Sequence, residues 1–170
     1  MQGGSQRRKY DTLSVKLPVS FAYATVDIET TGLDPESDIV VAMGLVYRDR
    51  LTVHVSRGVD IREDMASIVR RLMRETDVYA WNKGFEESFL GVTGLRELQL
   101  HPREKKDYSL SWGINIPVNG GLVPELWRRG RREMVALRAG YDALIEAVGM
   151  LRTVFLLDIQ PVLLRFGTRR

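Results

Sequence analysis

The chain opens its folded part with apolar runs of strand length. FAYATVDI, residues 21–28, is apolar for most of its length and ends in charge, which reads as a buried strand. SDIVVAMGLVY at 37–47 and LTVHVS at 51–56 read as two further strands, with YRDR at 47–50 as the hairpin turn between them. Three strands in meander order come first. The period then changes. VDIREDMASIVRRLMRE places Ile61, Met65, Ile68, Val69 and Leu72 at helical spacing, with Asp60 as its cap and Glu63 and Asp64 in the first turn. DVYAWN at 77–82 is a short strand, and a helix follows from about Glu86 to Gly91. This alternation predicts an α/β fold, a mixed sheet with flanking helices.

From 93 to 121 the pattern is poor, punctuated by Pro102, Pro117, Gly120 and Gly121, with a short strand expected at Lys106–Leu110. Helical spacing returns at 122–128 and at 133–148, where Met134, Leu137, Tyr141, Leu144, Ile145 and Val148 form an apolar stripe. A last helix over 150–160, ended by Pro161, is apolar on nearly every side. Such a helix is expected in the core or in a homodimer contact.

A length of 170 residues suits one domain that buries roughly 68–70% of its unfolded surface. The expected division is a flexible basic tail over 1–18 and a folded domain over 19–170. No cysteine is present, so disulfides, thiolate metal ligands and cysteine nucleophiles are excluded. MQGGSQRRKY lacks the apolar core of a secretory signal, and no run reaches the 18–20 apolar residues of a membrane span. The expectation is a soluble cytoplasmic protein with no membrane partner.

The net charge of +3 comes from Arg7, Arg8 and Lys9, so the remainder of the chain is balanced. Basic residues do gather between 100 and 138, among them Arg128, Arg129, Arg131 and Arg132, where a phosphate backbone or simply acidic neighbours would answer them.

The first strand ends in Asp27 and Glu29. Residues two apart on a strand project to one face, so these two carboxylates converge and repel. A hard divalent cation, Mg²⁺ or Mn²⁺, offsets that repulsion with the oxygen ligands it prefers. An isolated Asp-x-Glu is otherwise an ordinary polar strand end.

The run DIETTGL, from Asp27 through Leu33, resembles the first motif of the DEDD-type 3′–5′ exonucleases, proofreading-type nucleases of the ribonuclease-H-like superfamily. The resemblance implies that Asp27 and Glu29 bind two metal ions, and that Thr30, Thr31, Gly32 and Leu33 meet the terminal nucleotide. AWNKGFEESFL is similar to the second motif, with Asn82 and Phe85 in place and Glu86 where the family has aspartate. WRRGRREMVALRAGYDALIEAV resembles the third, in the form found in YprB-like exonucleases, with Asp142 as the metal ligand. The histidine or tyrosine base of the family is absent: Leu137 and Arg138 stand in those positions. Arg138, one turn before Asp142, is expected to pair with it or to touch phosphate. Asp107 is a lesser ligand candidate and His101 a candidate mobile base.

Taken together, the resemblance implies two-metal-ion hydrolysis of phosphodiester bonds at the 3′ ends of single-stranded DNA or RNA. One ion would be held by Asp27, Glu86 and Asp142 and the other bridged by Asp27 and Glu29. The departures at Glu86, Leu137 and Arg138 imply weak turnover, or a catalytically impaired nucleic-acid-binding or assembly module on the same fold. A structure-specific endonuclease is a third reading.

Overall fold

The computed structural model describes residues 8–98 and 122–155, the side chains of 150–155 excepted. Eight elements are present among them. Strand β1 spans Tyr10–Thr30, β2 Val40–Ser56, β3 Val78–Ala80 and β4 Arg96–Glu97. Helix α1 spans Arg62–Met73, α2 Lys83–Leu90, α3 Val123–Arg128 and α4 Arg132–Phe155. The strands form one mixed sheet in the order β2-β1-β3-β4. β1 pairs antiparallel with β2 and parallel with β3, and β3 pairs parallel with β4. A four-stranded mixed sheet flanked by helices is the α/β arrangement expected, and is compatible with a ribonuclease-H-like fold.

The opening of the fold departs from the expected meander. β1 begins at Tyr10, so residues 10–18, expected in the tail, run in the sheet, where Tyr10 pairs with Ser56 and Lys16 with Arg50. Of the alternating apolar residues of this stretch only Leu17 is buried; Leu13 and Val15 are more than half exposed. YRDR is not a hairpin turn either. The ladder passes through it, with Lys16 opposite Arg50, Phe21 opposite Arg48 and Thr25 opposite Val46, so β1 carries extra residues that β2 does not match. Pro18, which has no amide hydrogen to give to the ladder, lies in the unmatched stretch. Arg48 takes φ 53°, the left-handed region, at the same irregularity. The ribbon bends there: Val41 and Ala42 from one half of β2 share a core cluster with Val53 and Val55 from the other half, and with Ala136 and Ala139 of α4.

Alternation along β1 divides the core between two layers. Ala24, Val26 and Ile28 face a cluster with Ile61, Met65, Val69 and Leu72 from the α1 region and Phe89 and Leu90 of α2. On the other face, Phe21 and Tyr23 pack with Ala143, Leu144, Ala147 and Val148 of α4. The cap residue of α1 is Ile61, one place after the expected Asp60, but Asp60 still serves the helix: its Oδ1 accepts the Arg62 amide at 3.1 Å and the Val40 amide at 3.0 Å. The two C-terminal helices expected over 133–148 and 150–160 join into α4 as far as Phe155. The expected strand at Lys106–Leu110 and the rest of the expected last helix lie outside the described residues. No helix among the described residues is long and apolar enough to cross a membrane.

Candidate metal centre

The second face of β1 is a register of polar groups against α4. Tyr23 donates its hydroxyl to the Ala147 carbonyl at 2.7 Å, and Thr25 donates to the Ala143 carbonyl at 2.7 Å. Each step of two residues along the strand advances about 6.6 Å, close to the roughly 6 Å of four residues along a helix. Continuing that match, Asp27 and Glu29 arrive beside Asp142 and Arg138. Carboxylate oxygens of Asp27, Glu29 and Asp142 all lie within 4.8 Å of one another. Asp27 and Glu29 are buried and Asp142 is partly exposed, so the group opens to solvent on the helix side.

Gly44 sets this approach. It is the β2 partner of Asp27. A Cβ there would overlap the carbonyl oxygen of Ala139 and stand 2.5 Å from its carbon. Only a residue without a side chain lets α4 lie so close to the sheet, and that closeness carries Asp142 to the strand carboxylates.

Arg138 lies between two of the acids. Its Nε is 3.5 Å from Glu29 Oε1 and 3.4 Å from Asp142 Oδ2, and its side chain is 3% exposed. The expected pairing with Asp142 is therefore present, one helical turn apart, and Glu29 is a second partner that the spacing did not reveal.

Glu86 departs from the expected set of four. It is buried on α2 but is not one of the carboxylates grouped within 4.8 Å. α2 is anchored by Phe89 and Leu90 in the layer on the opposite face of β1 from α4. Asn82 is the cap residue of α2 but makes no side-chain capping bond; its carbonyl accepts the Phe85 amide at 2.9 Å.

The turn after β1, expected to meet the terminal nucleotide, is held by hydrogen bonds among its own groups. Thr30 donates its hydroxyl to the Gly32 carbonyl at 2.6 Å, and Thr31 Oγ1 donates to Asp38 Oδ1 at 3.2 Å while accepting the Ile39 amide at 3.0 Å. Gly32 lacks a side chain because Asp38 fills that space: a Cβ would stand 2.6 Å from its carboxyl carbon. Asp38 also accepts the Asp34 amide at 3.0 Å, and Arg62 clamps the loop through the Pro35 carbonyl at 2.8 Å. These groups hold the loop itself, which leaves Leu33, 85% exposed, as its outward apolar group.

Three arginines that precede Arg138 have acidic partners of their own. Arg129 pairs with Glu125, Arg131 with Glu133, and Arg132 with Asp11, so the basic stretch is largely answered by acidic neighbours. His54 is buried, its Nδ1 2.9 Å from Thr12 Oγ1, and burial holds its imidazole below the usual histidine range. Asp107 and His101 lie outside the described residues. Glu146, fully buried one turn beyond Asp142, was not singled out from the sequence, although the i, i+4, i+8 spacing of Arg138, Asp142 and Glu146 marks it.

Three hard oxygen donors from two elements suit a Mg²⁺- or Mn²⁺-type ion better than a soft metal. No family model matches this chain. No curated protein matches it either. Among solved structures, it is similar to the family B DNA polymerase from the hyperthermophilic archaeon Pyrobaculum calidifontis, at a TM-score of 0.51 and 14% identity. The match covers 81% of this chain and 25% of the polymerase chain. At that identity the likeness is one of fold alone.

Proposed function

We propose that this chain is a metal-dependent nuclease that hydrolyses phosphodiester bonds at the 3′ ends of single-stranded DNA or RNA, of the DEDD type and nearest the YprB-like form. The observation that carries this reading is the grouping of Asp27, Glu29 and Asp142 within 4.8 Å, from positions more than a hundred residues apart in sequence. The fold likeness to part of a DNA polymerase accords with a polynucleotide substrate.

Asp27 and Glu29 offer ligands from the strand end and Asp142 from the helix. Together they would hold a divalent ion, which would supply Lewis-acid stabilisation of phosphoryl charge and activation of water. Leu33, standing free at the tip of the following turn, is placed to support an apolar sugar or base edge of a terminal nucleotide. The described residues supply no histidine or tyrosine base at the two helix positions where the family carries one. Leu137 instead lines an apolar groove of about 710 Å³ between α4 and the first half of β1, and Arg138 is committed to ion pairs. With no base from those two positions, proton removal is left to solvent or to the candidate base His101, and slow turnover is the expected outcome.

A second reading, a nucleic-acid-binding or assembly module, is favoured by Arg138 between the carboxylates and by Glu86 outside their group. A 5′-labelled single-stranded oligonucleotide incubated with Mn²⁺ or Mg²⁺ separates the two. Stepwise shortening from the 3′ end, lost in Asp27→Asn, is the expected result. Metal binding and oligonucleotide binding without shortening select the module, and cutting of a circular single strand selects an endonuclease. Absence of metal binding, shortening and cutting together overturns the nuclease reading.

A further inference from the structure

Arg138 is the one buried lysine or arginine among the described residues, and it sits within the carboxylate group. Its Nε reaches Glu29 of β1 and Asp142 of α4 at nearly equal distances, 3.5 and 3.4 Å. One planar guanidinium thus joins the two elements that build the site. We propose that Arg138 takes the place of a second metal ion, so that this site binds a single divalent cation. The inference rests on the metal-site reading of Asp27, Glu29 and Asp142.

Charge and geometry both support a count of one. The three carboxylates bring three negative charges and Arg138 returns one positive charge, leaving the equivalent of one divalent ion to be matched. Two of the three acids already share a cation, and a second divalent ion would have to compete for Glu29 and Asp142 with a positive group beside it. That competition is costly because like charges repel strongly where water is largely excluded. Arg138 is also buried to 97% of its side chain, so leaving the site would take it out of a packed seat and not merely swing an exposed chain. Arg138 is on this account a positioning residue: it holds Glu29 and Asp142 together before the ion arrives.

The test is a Mn²⁺ titration of the full chain, followed by calorimetry and by the electron paramagnetic resonance of free and bound Mn²⁺. Wild type is expected to take up one ion with no spin coupling between neighbouring ions, Arg138→Lys also one, and Arg138→Gln two. Two coupled ions in wild type overturn the proposal whatever the variants do, so it remains testable even if Arg138→Gln does not fold without metal. One ion in both wild type and a folded Arg138→Gln also overturns it, because Arg138 then does not limit the count. No binding by wild type overturns the metal reading itself, which is a different result from either of these.

Discussion

Gly44 of β2 stands opposite Asp27 of β1, and the space its side chain would take is filled by the Ala139 carbonyl of α4. A residue that carries no functional group thereby determines whether Asp142 reaches the strand carboxylates. Gly44→Ala should push α4 outward. Overpacking of this kind costs about 1–3 kcal/mol, and the displaced Asp142 should weaken Mn²⁺ binding while secondary structure persists. Gly84→Ala is the control, since its nearest neighbouring atom would be 3.9 Å away. Thermal melts with and without Mn²⁺ check both; unchanged metal affinity in Gly44→Ala would show that α4 position does not set the site.

Asp27→Asn leaves the strand's shape and removes a charge from the acid group. Its fold should be retained, with Mn²⁺ affinity and nuclease activity both lost. Calorimetric titration beside the oligonucleotide assay checks this, and wild-type affinity in the variant would remove Asp27 from the site.

Tyr23 and Thr25 hold α4 by single hydroxyl bonds to the Ala147 and Ala143 carbonyls. Tyr23→Phe and Thr25→Val should each lower stability by about 1 kcal/mol, the usual net value of one such bond. Because both bonds seat the same helix, the double variant should depart from the sum of the singles. Urea unfolding of the four proteins measures that coupling, and strict additivity would mean the two contacts act independently.

His54 is kept neutral by burial, with its pKa below that of an exposed histidine. The unfolded chain binds the proton more readily, so His54's contribution is complete above the ordinary histidine value of about 6.5 and is lost as pH falls through the lower folded value. Melting temperature should therefore decline on acidification from neutrality, and the decline should be shallower in His54→Gln. An identical pH profile for the two would exclude His54 as its source.

Asp11 titrates in the opposite part of the scale. Hydrogen bonds from Arg57 and Arg132 pull its pKa down to about 2 from the model-compound value of 3.8. Its contribution is present above 3.8 and is lost as pH falls through about 2. Asp11→Asn should lose stability at neutral pH and flatten the acid limb of the stability curve. Since Arg132 opens α4, amide exchange in its first turn should also quicken.

Much of this architecture is readable from spacing. The strand ending at Asp27 and Glu29 and the apolar stripe of 133–148 both emerge from period alone, and one helical turn suffices to pair Arg138 with Asp142. What spacing does not carry is contact between distant elements. Glu29 meets Arg138 only because of how α4 lies, and that depends on Gly44, whose significance is invisible until its neighbour is known. The start of β1 was missed for a different reason: Leu13, Val15 and Leu17 alternate at strand spacing, but the run is short and basic-flanked, and only Leu17 of the three is buried. Gly32 was legible as a constrained position, but the Asp38 carboxylate that fills its side-chain space was not.

The long separation between the strand acids and the helix acid has a consequence for synthesis. A ribosome that has released β1 through α3 has exposed Asp27 and Glu29 without Asp142 or Arg138. The ligand set closes only when the last described helix emerges and docks, a late non-local contact of the kind that slows folding. Any hydrolytic capability would therefore be acquired only once α4 has emerged and docked against β1.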